Sequence, residues 1–287
     1  MLSLDIPLLR SFVAVARNHS IKTAANVIGR TQSALSMQIK RLEDVVGQSL
    51  IHRERYGVEL TAAGERLLVH ALNILEQHDR ALSDITGNGL HGLVSIGCPE
   101  EYLSAYFPKL LREFNLKNPQ VEVEIVSAPT TELRGLLRQN RVDLALISLP
   151  DGSDSTTLIK TEQFVWVANH PTPSPLKREL LPLALSAPNT LEHRAAREVI
   201  EKHQINYRIA FASNSFAALL AMTRSGQAIS VMTQSAIPDD LHILTTQLPK
   251  LPQIGVHLSY ASAKPSQLVK TCGEFIRTYL SSSPNPT

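Results

Sequence analysis

Thr31–Gly47 reads TQSALSMQIKRLEDVVG. Its apolar residues Leu35, Ile39, Leu42 and Val46 step by four, three and four, which places them on one stripe of an α-helix. Opposite that stripe stand Gln32, Ser33, Ser36, Met37 and Lys40, of which only Lys40 is charged. A face turned to bulk water is usually richer in Lys and Glu. Short hydrogen-bonding groups beside one soft apolar side chain suit contact with base edges in a DNA groove. The stripe alone fits any amphipathic surface helix, so the neighbouring segments decide between the two.

Upstream, Leu8, Leu9, Phe12, Val13, Val15 and Ala16 make an apolar stripe behind Pro7, a residue suited to a helix's first turn. Ser20 can cap a short second helix running to about Ile28, in which Ala24 and Ala25 let another helix approach closely. Gly29 breaks that pattern and Thr31 can cap the third helix. Two short helices joined by a tight Gly-containing turn, the second with a polar N-terminal end, predict a helix-turn-helix. The following SLIHRERYGVELT alternates and carries Gly57 at a hairpin tip, which predicts a two-stranded wing with Arg53 and Arg55 projecting from it. From Thr61 to about Thr86 one long helix is expected. Leu68, Leu72, Leu75 and Leu82 form a seam interrupted by Asp79, and Ala71, Ile74, His78, Ala81 and Ile85 form a second. Two stripes on one helix predict packing against a partner chain, with packing against its own domain as the alternative. TGNGLHG at 86–92 is the clearest linker.

Beyond it the pattern becomes strand–helix–strand. LVSIG (93–97), VEVEIVSA (121–128) and VDLALIS (142–148) read as strands separated by helices over AYFPKLLREFNLKN and TELRGLLRQN. This is a βαβαβ unit with a parallel sheet. A second set contains strands at 164–170, 181–187, 207–213 and 228–233 and a helix at 191–203; VHLSYA (256–261) and a helix over Ser266–Leu280 end the chain. The fold class is therefore α/β in the larger C-terminal part, behind a winged helix-turn-helix. The expected domains are 1–60 for DNA binding, 61–90 for a linker and dimerisation helix with its hinge, and 91–287 for a two-lobed domain. Lobe I would take about 91–163 and 262–287, lobe II about 164–261. Two such lobes joined by crossing strands place a ligand in the cleft between them.

Composition limits the alternatives. With 43% hydrophobic and 19% charged residues in 287, the chain is globular in character, and no apolar run approaches the roughly 18–20 residues of a membrane span. MLSLDIPLLR has an acid where a signal peptide would have basic residues, so a cytoplasmic location is expected. Residues 1–60 hold eight Lys/Arg against five Asp/Glu, a mild excess compatible with phosphate binding. The two cysteines, Cys98 and Cys272, make neither a disulfide framework nor a zinc site. His170, His193 and His203 show no metal-ligand spacing, and no catalytic motif of the nucleophile-elbow, P-loop or zincin kind is present. No cofactor, metal or enzymatic activity is expected.

The run FVAVARNHSIKTAANVIGRTQSALSMQIKRLEDVVGQSLIHR…VELTAAG resembles the N-terminal signature of LysR-type transcriptional regulators. The resemblance is carried by Phe12, Ser20 to Ala25, Gln32, Ser36, Ile39, Leu42, Glu43, Gly47, Leu50, Arg53, Leu60, Thr61 and Gly64. Ile51 stands where the family usually has Phe, Ser33 replaces the common Pro, and Met37 takes a position where polar residues often touch DNA. RTQSALSMQIKRLE, LVSIGCPEE and RIAFASNSFAALLAM are further similar to the LrhA/HexA/PecT branch. The resemblance implies a C-terminal effector domain like a periplasmic binding protein, a homodimer or homotetramer, and a double-stranded DNA operator with an imperfect inverted repeat. It also assigns Arg53 to the DNA backbone or minor groove.

The expected DNA contacts are then Gln32 to adenine, Met37 or Ala34 to a thymine methyl, and Thr31, Ser33, Ser36 and Lys40 to phosphates, with Arg53 and Arg55 from the wing. For Arg41 and Glu43, an exposed position or pairing within the chain is expected instead. The cleft candidates are Cys98, Glu100, Thr130, Thr131, Ser148, Ser186, Ser213 and Asn214, at strand ends and helix starts where hydroxyls and N–H groups meet polar ligands. Each could equally be a cap without a ligand. Glu100 and Glu101 argue against a densely anionic effector; a small aromatic or mixed polar/apolar one is expected. The competing readings are a thiol-based redox regulator through Cys98, or a solute-binding protein.

Overall fold

The computed structural model describes residues 3–54, 57–86 and 90–282. Helix α1 (Ile6–Asn18) starts with Pro7 in its first turn and buries Leu8, Leu9, Phe12, Val13, Val15 and Ala16. Ser20 opens α2 (Ile21–Val27) by accepting the Thr23 N–H at 3.2 Å, and Ala24 and Ala25 enter the same core as α1. Thr31 opens α3 (Gln32–Val46) through the Ala34 N–H at 3.2 Å, and Gly47 closes it in the left-handed conformation. Leu35, Ile39 and Leu42 are fully buried, while Val46 is only half covered.

The wing consists of β1 (Ile51–Glu54) and β2 (Gly57–Leu60), antiparallel with Ile51 opposite Leu60. Gly57 is the first residue of β2 rather than the turn itself; the tip residues Arg55 and Tyr56 lie outside the described residues. The wing docks on the end of α1, where Val58 N–H donates to His19 O at 2.8 Å and His19 Nδ1 lies 3.0 Å from Val58 O. A Cβ on Gly57 would sit 2.7 Å from that same carbonyl. Glu43 ties α3 to the wing by accepting the Leu50 N–H at 2.8 Å, the Ile51 N–H at 3.3 Å and the Ser49 hydroxyl at 3.2 Å. That is the internal role expected for it.

Helix α4 (Ala62–Thr86) departs from the seam reading. Leu68, Ala71 and Leu75 are buried in the core of α1–α3, with Leu72 packed against it, so half of the expected seam serves the chain's own domain. The reason is geometric: α4 lies along α1, whose apolar face needs a cover. Asp79 is turned to the same side and pairs with Arg10 and with His78 Nδ1. Further along, Ile74, Leu82 and Ile85 remain 36%, 43% and 83% exposed. Of the 86–92 linker, 87–89 lies outside the described residues.

The chain divides into two compact units between Gly92 and Leu93, Ser266–Leu268 counting with the first. The second unit contains β3 (Gly92–Cys98), α5 (Glu100–Lys117), β4 (Val121–Ser127), α6 (Thr130–Arg138), β5 (Leu144–Pro150) and the long β6 (Leu158–Ala168). Then come β7 (Leu181–Leu185), α7 (Leu191–Lys202), β8 (Tyr207–Ala212), α8 (Phe216–Arg224), β9 (Ile229–Thr233), β10 (His242–Leu244), β11 (Gln253–Tyr260) and α9 (Gln267–Ser282). One sheet runs β4-β3-β5-β11-β6-β9-β7-β8, with β10 on β6. β3 and β5 are parallel, as are β8, β7 and β9, but β11 and β6 run antiparallel to their neighbours. β6 pairs with β11 up to Gln163 and with β9 from Phe164, so it crosses from one lobe to the other.

Three details differ from the sequence reading. β11 pairs with β5 from Ile254 to Tyr260 and so belongs to the sheet of lobe I, not lobe II. α5 begins at Glu100 rather than Ala105, its two leading acids favoured by the helix dipole. α8 is a helix where the sequence reading has only a loop up to Phe216; FAALLAM is apolar on most sides, so no stripe announces it.

Candidate DNA interface and effector cleft

On α3, Thr31, Gln32, Ser33 and Lys40 are exposed, Ser36 is half-buried, and Met37 is 71% exposed. An apolar side chain that open, on a helix whose opposite face is sealed, has no partner in its own domain. Thr31 spends its hydroxyl on the cap, with Ser33 Oγ 3.1 Å away. Gln38, between the two faces, accepts from Ser11 Oγ at 2.7 Å and anchors the helix to α1. A groove of about 570 Å³ runs beside Met37, lined also by Asp5, Arg30, Ala34 and Arg41. Arg30, which the sequence reading does not single out, lines this groove too. Arg41 pairs with Asp5 at 3.7 Å, the internal role expected for it. Arg53 is a β1 residue opposite Val58, and Arg55 lies outside the described residues.

The cleft candidates fall into two groups. In lobe I, Ser148 joins α5 to α6: its Oγ is 2.8 Å from the Tyr102 hydroxyl and its N–H donates to Thr130 Oγ1 at 3.0 Å. Thr131 is exposed beside them. In lobe II, Ser186 Oγ meets Thr190 Oγ1 at 2.5 Å and its carbonyl lies 2.7 Å from the buried His193 Nδ1. Ser213 N–H donates to Leu185 O at 3.1 Å, its Oγ accepts the Ser215 N–H, and Asn214 is exposed. Glu100 connects the groups, since its Oε2 accepts the Phe216 N–H at 2.7 Å.

Glu101 stands out in the sequence only by its charge, yet it is the most perturbed acid of the cleft. Its Oε2 accepts the Thr233 hydroxyl at 2.8 Å and the Thr233 N–H at 3.4 Å. Burial, and then the charge of Glu192, raise its carboxyl from 4.5 to about 8. Nothing in the sequence separates it from Glu100; only the packing does.

Cys98 is completely buried at the end of β3, its thiol donating to Pro99 O at 3.3 Å. Burial pushes this thiol well above its ordinary value, the opposite of the thiolate that a redox sensor needs. Nor does a sealed sulfur reach a ligand. His170 and His203 make local contacts with Thr172 and Val199. Trp166 is core, its indole N–H on Pro249 O at 2.8 Å. Among the described residues no helix is long and apolar enough to cross a membrane.

Comparison with known proteins agrees with this division. Residues 6–65 match the family model of the bacterial regulatory helix-turn-helix protein, lysR family, and residues 87–281 that of the LysR substrate binding domain. The regulator DgdR of Burkholderia cepacia is 49% identical over 280 residues, covering 97% of this chain and 95% of its own length. PecT of Dickeya dadantii, from the branch singled out by sequence, is 26% identical over 260 residues, covering 90% and 82%. A full-length cysteine-to-aspartate variant of OxyR from Pseudomonas aeruginosa superposes with a TM-score of 0.66 at 21% identity, covering 99% of this chain and all of that one, a likeness of fold. The exposed, nearly uncharged face of α3 and the two-lobed sheet that follows it in the chain are thus the two halves of one regulator, and the chain belongs to the LysR family of DNA-binding transcriptional regulators, with a helix-turn-helix head and an effector-binding domain.

Proposed function

We propose that the protein is a cytoplasmic dimer or tetramer that binds an imperfect inverted repeat through paired α3 helices, and that a small molecule in the cleft between the lobes changes how it holds that DNA. The observation that carries the DNA half of this reading is Met37, 71% exposed among Gln32, Ser33 and Ser36 on a helix capped at both ends. Head, linker helix and effector domain divide at about residues 60 and 90. Purified full-length protein is expected to retard a fragment of its own upstream region, and a protein that leaves such DNA unshifted contradicts the reading.

Within α3, Gln32→Ala should lose about 1–3 kcal/mol of discrimination between operator and random DNA. Non-specific binding should stay nearly unchanged, because the phosphate contacts remain. Retardation of both DNAs at one salt concentration checks this; equal losses on the two would remove Gln32 from the reading role.

The exposed apolar residues of α4 supply the dimer contact. Ile85→Asp, at a site 83% exposed in the single chain, should weaken self-association roughly tenfold or more, since each chain of a symmetric pair loses a buried isoleucine and gains a charge. Sedimentation at several concentrations measures it, and an unchanged association constant would place the interface elsewhere.

Effector binding is assigned to Glu100, Thr130, Thr131, Ser148, Ser186, Ser213 and Asn214. The convergence of helix starts on this cleft supports that assignment.

A further inference from the structure

The first turn of α5 sends two successive carboxyl groups from lobe I into lobe II. Glu100 takes the Phe216 N–H and Glu101 takes Thr233. Phe216 is the first residue of α8, and the capping Ser215 is spent on the Ala218 N–H. The N–H groups that open a helix have no partner within it and lie at the positive end of its dipole. Such a place ordinarily receives the anionic group of a ligand. Here the chain's own carboxylate fills it, and a tethered group competes at an effective concentration on the order of millimolar or above. Of its neighbours, Glu101 keeps its proton until about 8, Glu192 carries the charge that helps to hold it there, and Lys160 is paired with Glu162 at 2.9 Å.

We propose that Glu100 determines the specificity of the cleft: it is a built-in carboxylate that seals the start of α8, bridges the lobes, and confines the effector to molecules bringing a neutral or amine group to that end. The proposal rests on the cleft being the effector site. It differs from a capping role in predicting that a free carboxylate can replace the side chain when the latter is removed.

The test uses full-length wild type, Glu100→Ala and Glu100→Gln, with sodium acetate titrated against sodium chloride at matched ionic strength. Hydrogen exchange at the Phe216 amide and thermal unfolding are read together. In Glu100→Ala the amide should exchange roughly tenfold faster. Acetate, but not chloride, should slow it again and raise Tm, while wild type and Glu100→Gln gain no acetate response. An unchanged Phe216 amide in Glu100→Ala, no rescue by acetate, or an equal acetate response in wild type each overturns the proposal. Should the alanine variant fail to fold, Glu100→Gln decides by exchange alone: a faster Phe216 amide supports the bridge, and an unchanged one overturns it. The functional reading fails separately, if the wild-type preparation does not retard its upstream DNA.

Discussion

Gly64→Ala is expected to unfold the DNA-binding head while sparing the effector domain. A Cβ at this position would lie 2.1 Å from Leu50 O and 3.1 Å from Leu50 C. These are backbone atoms, so no side-chain rotation relieves the clash. Leu50 O already accepts the Thr61 N–H at 3.0 Å, and Thr61 Oγ1 accepts the Gly64 N–H at 3.0 Å. One extra methyl therefore has to break the joint that connects wing, cap and α4. Overpacking in a closed core costs about 1–3 kcal/mol and more where backbone must move, a large part of a stability of about 5–15 kcal/mol. The single tryptophan, Trp166, lies in the second unit and gives a clean internal control. Urea unfolding should show early loss of helical signal and of operator binding, with the Trp166 fluorescence transition in place. The idea is falsified if both transitions coincide with those of wild type.

Glu101→Gln should flatten the pH dependence of effector-domain stability. In the unfolded chain this carboxyl loses its proton near 4.5, whereas in the fold burial and the Glu192 charge hold the proton until about 8. The sign follows: the stability this group contributes is fully present below pH 4.5 and is lost as pH rises through about 8. Across that window stability falls with rising pH, by an amount on the order of a few kcal/mol. Glutamine keeps an oxygen for Thr233 and carries no proton to lose. Urea titrations followed by Trp166 from about pH 5 to 8.5 should show wild type weakening with pH relative to the variant. His257, which burial pushes to a lower value, titrates in the opposite sense and cancels in the comparison. Parallel stability profiles for the two proteins would mean that Glu101 is not protonated in the fold.

These two residues show where reading from sequence stops. The helix-turn-helix is legible because its determinants are local: Thr31 and Ser20 cap helices three residues away, Gly47 ends α3, and Leu35, Ile39 and Leu42 repeat with the helical period. Sequence also places Gly64 within the family signature, but only the fold brings it under the Leu50 carbonyl. In α4 the periodicity marks apolar stripes correctly and points half of them to the wrong neighbour, because a stripe states that it will be covered and not by what. The same holds for β11, whose alternation does not name β5.

The cleft lies furthest out of reach. Glu100 meets Phe216 across 116 positions of sequence, and Glu101 meets Thr233 across 132. What the amino-acid order determined by itself was the head, most of the strands and helices though not α8 or β10, and the family, all set by short-range periodicity and by residues at fixed spacing. Tertiary structure alone decided which of two adjacent glutamates has its carboxyl raised by desolvation and which closes the start of α8. Desolvation and long-range partners depend on what packs around a side chain, and that is settled only when distant segments meet.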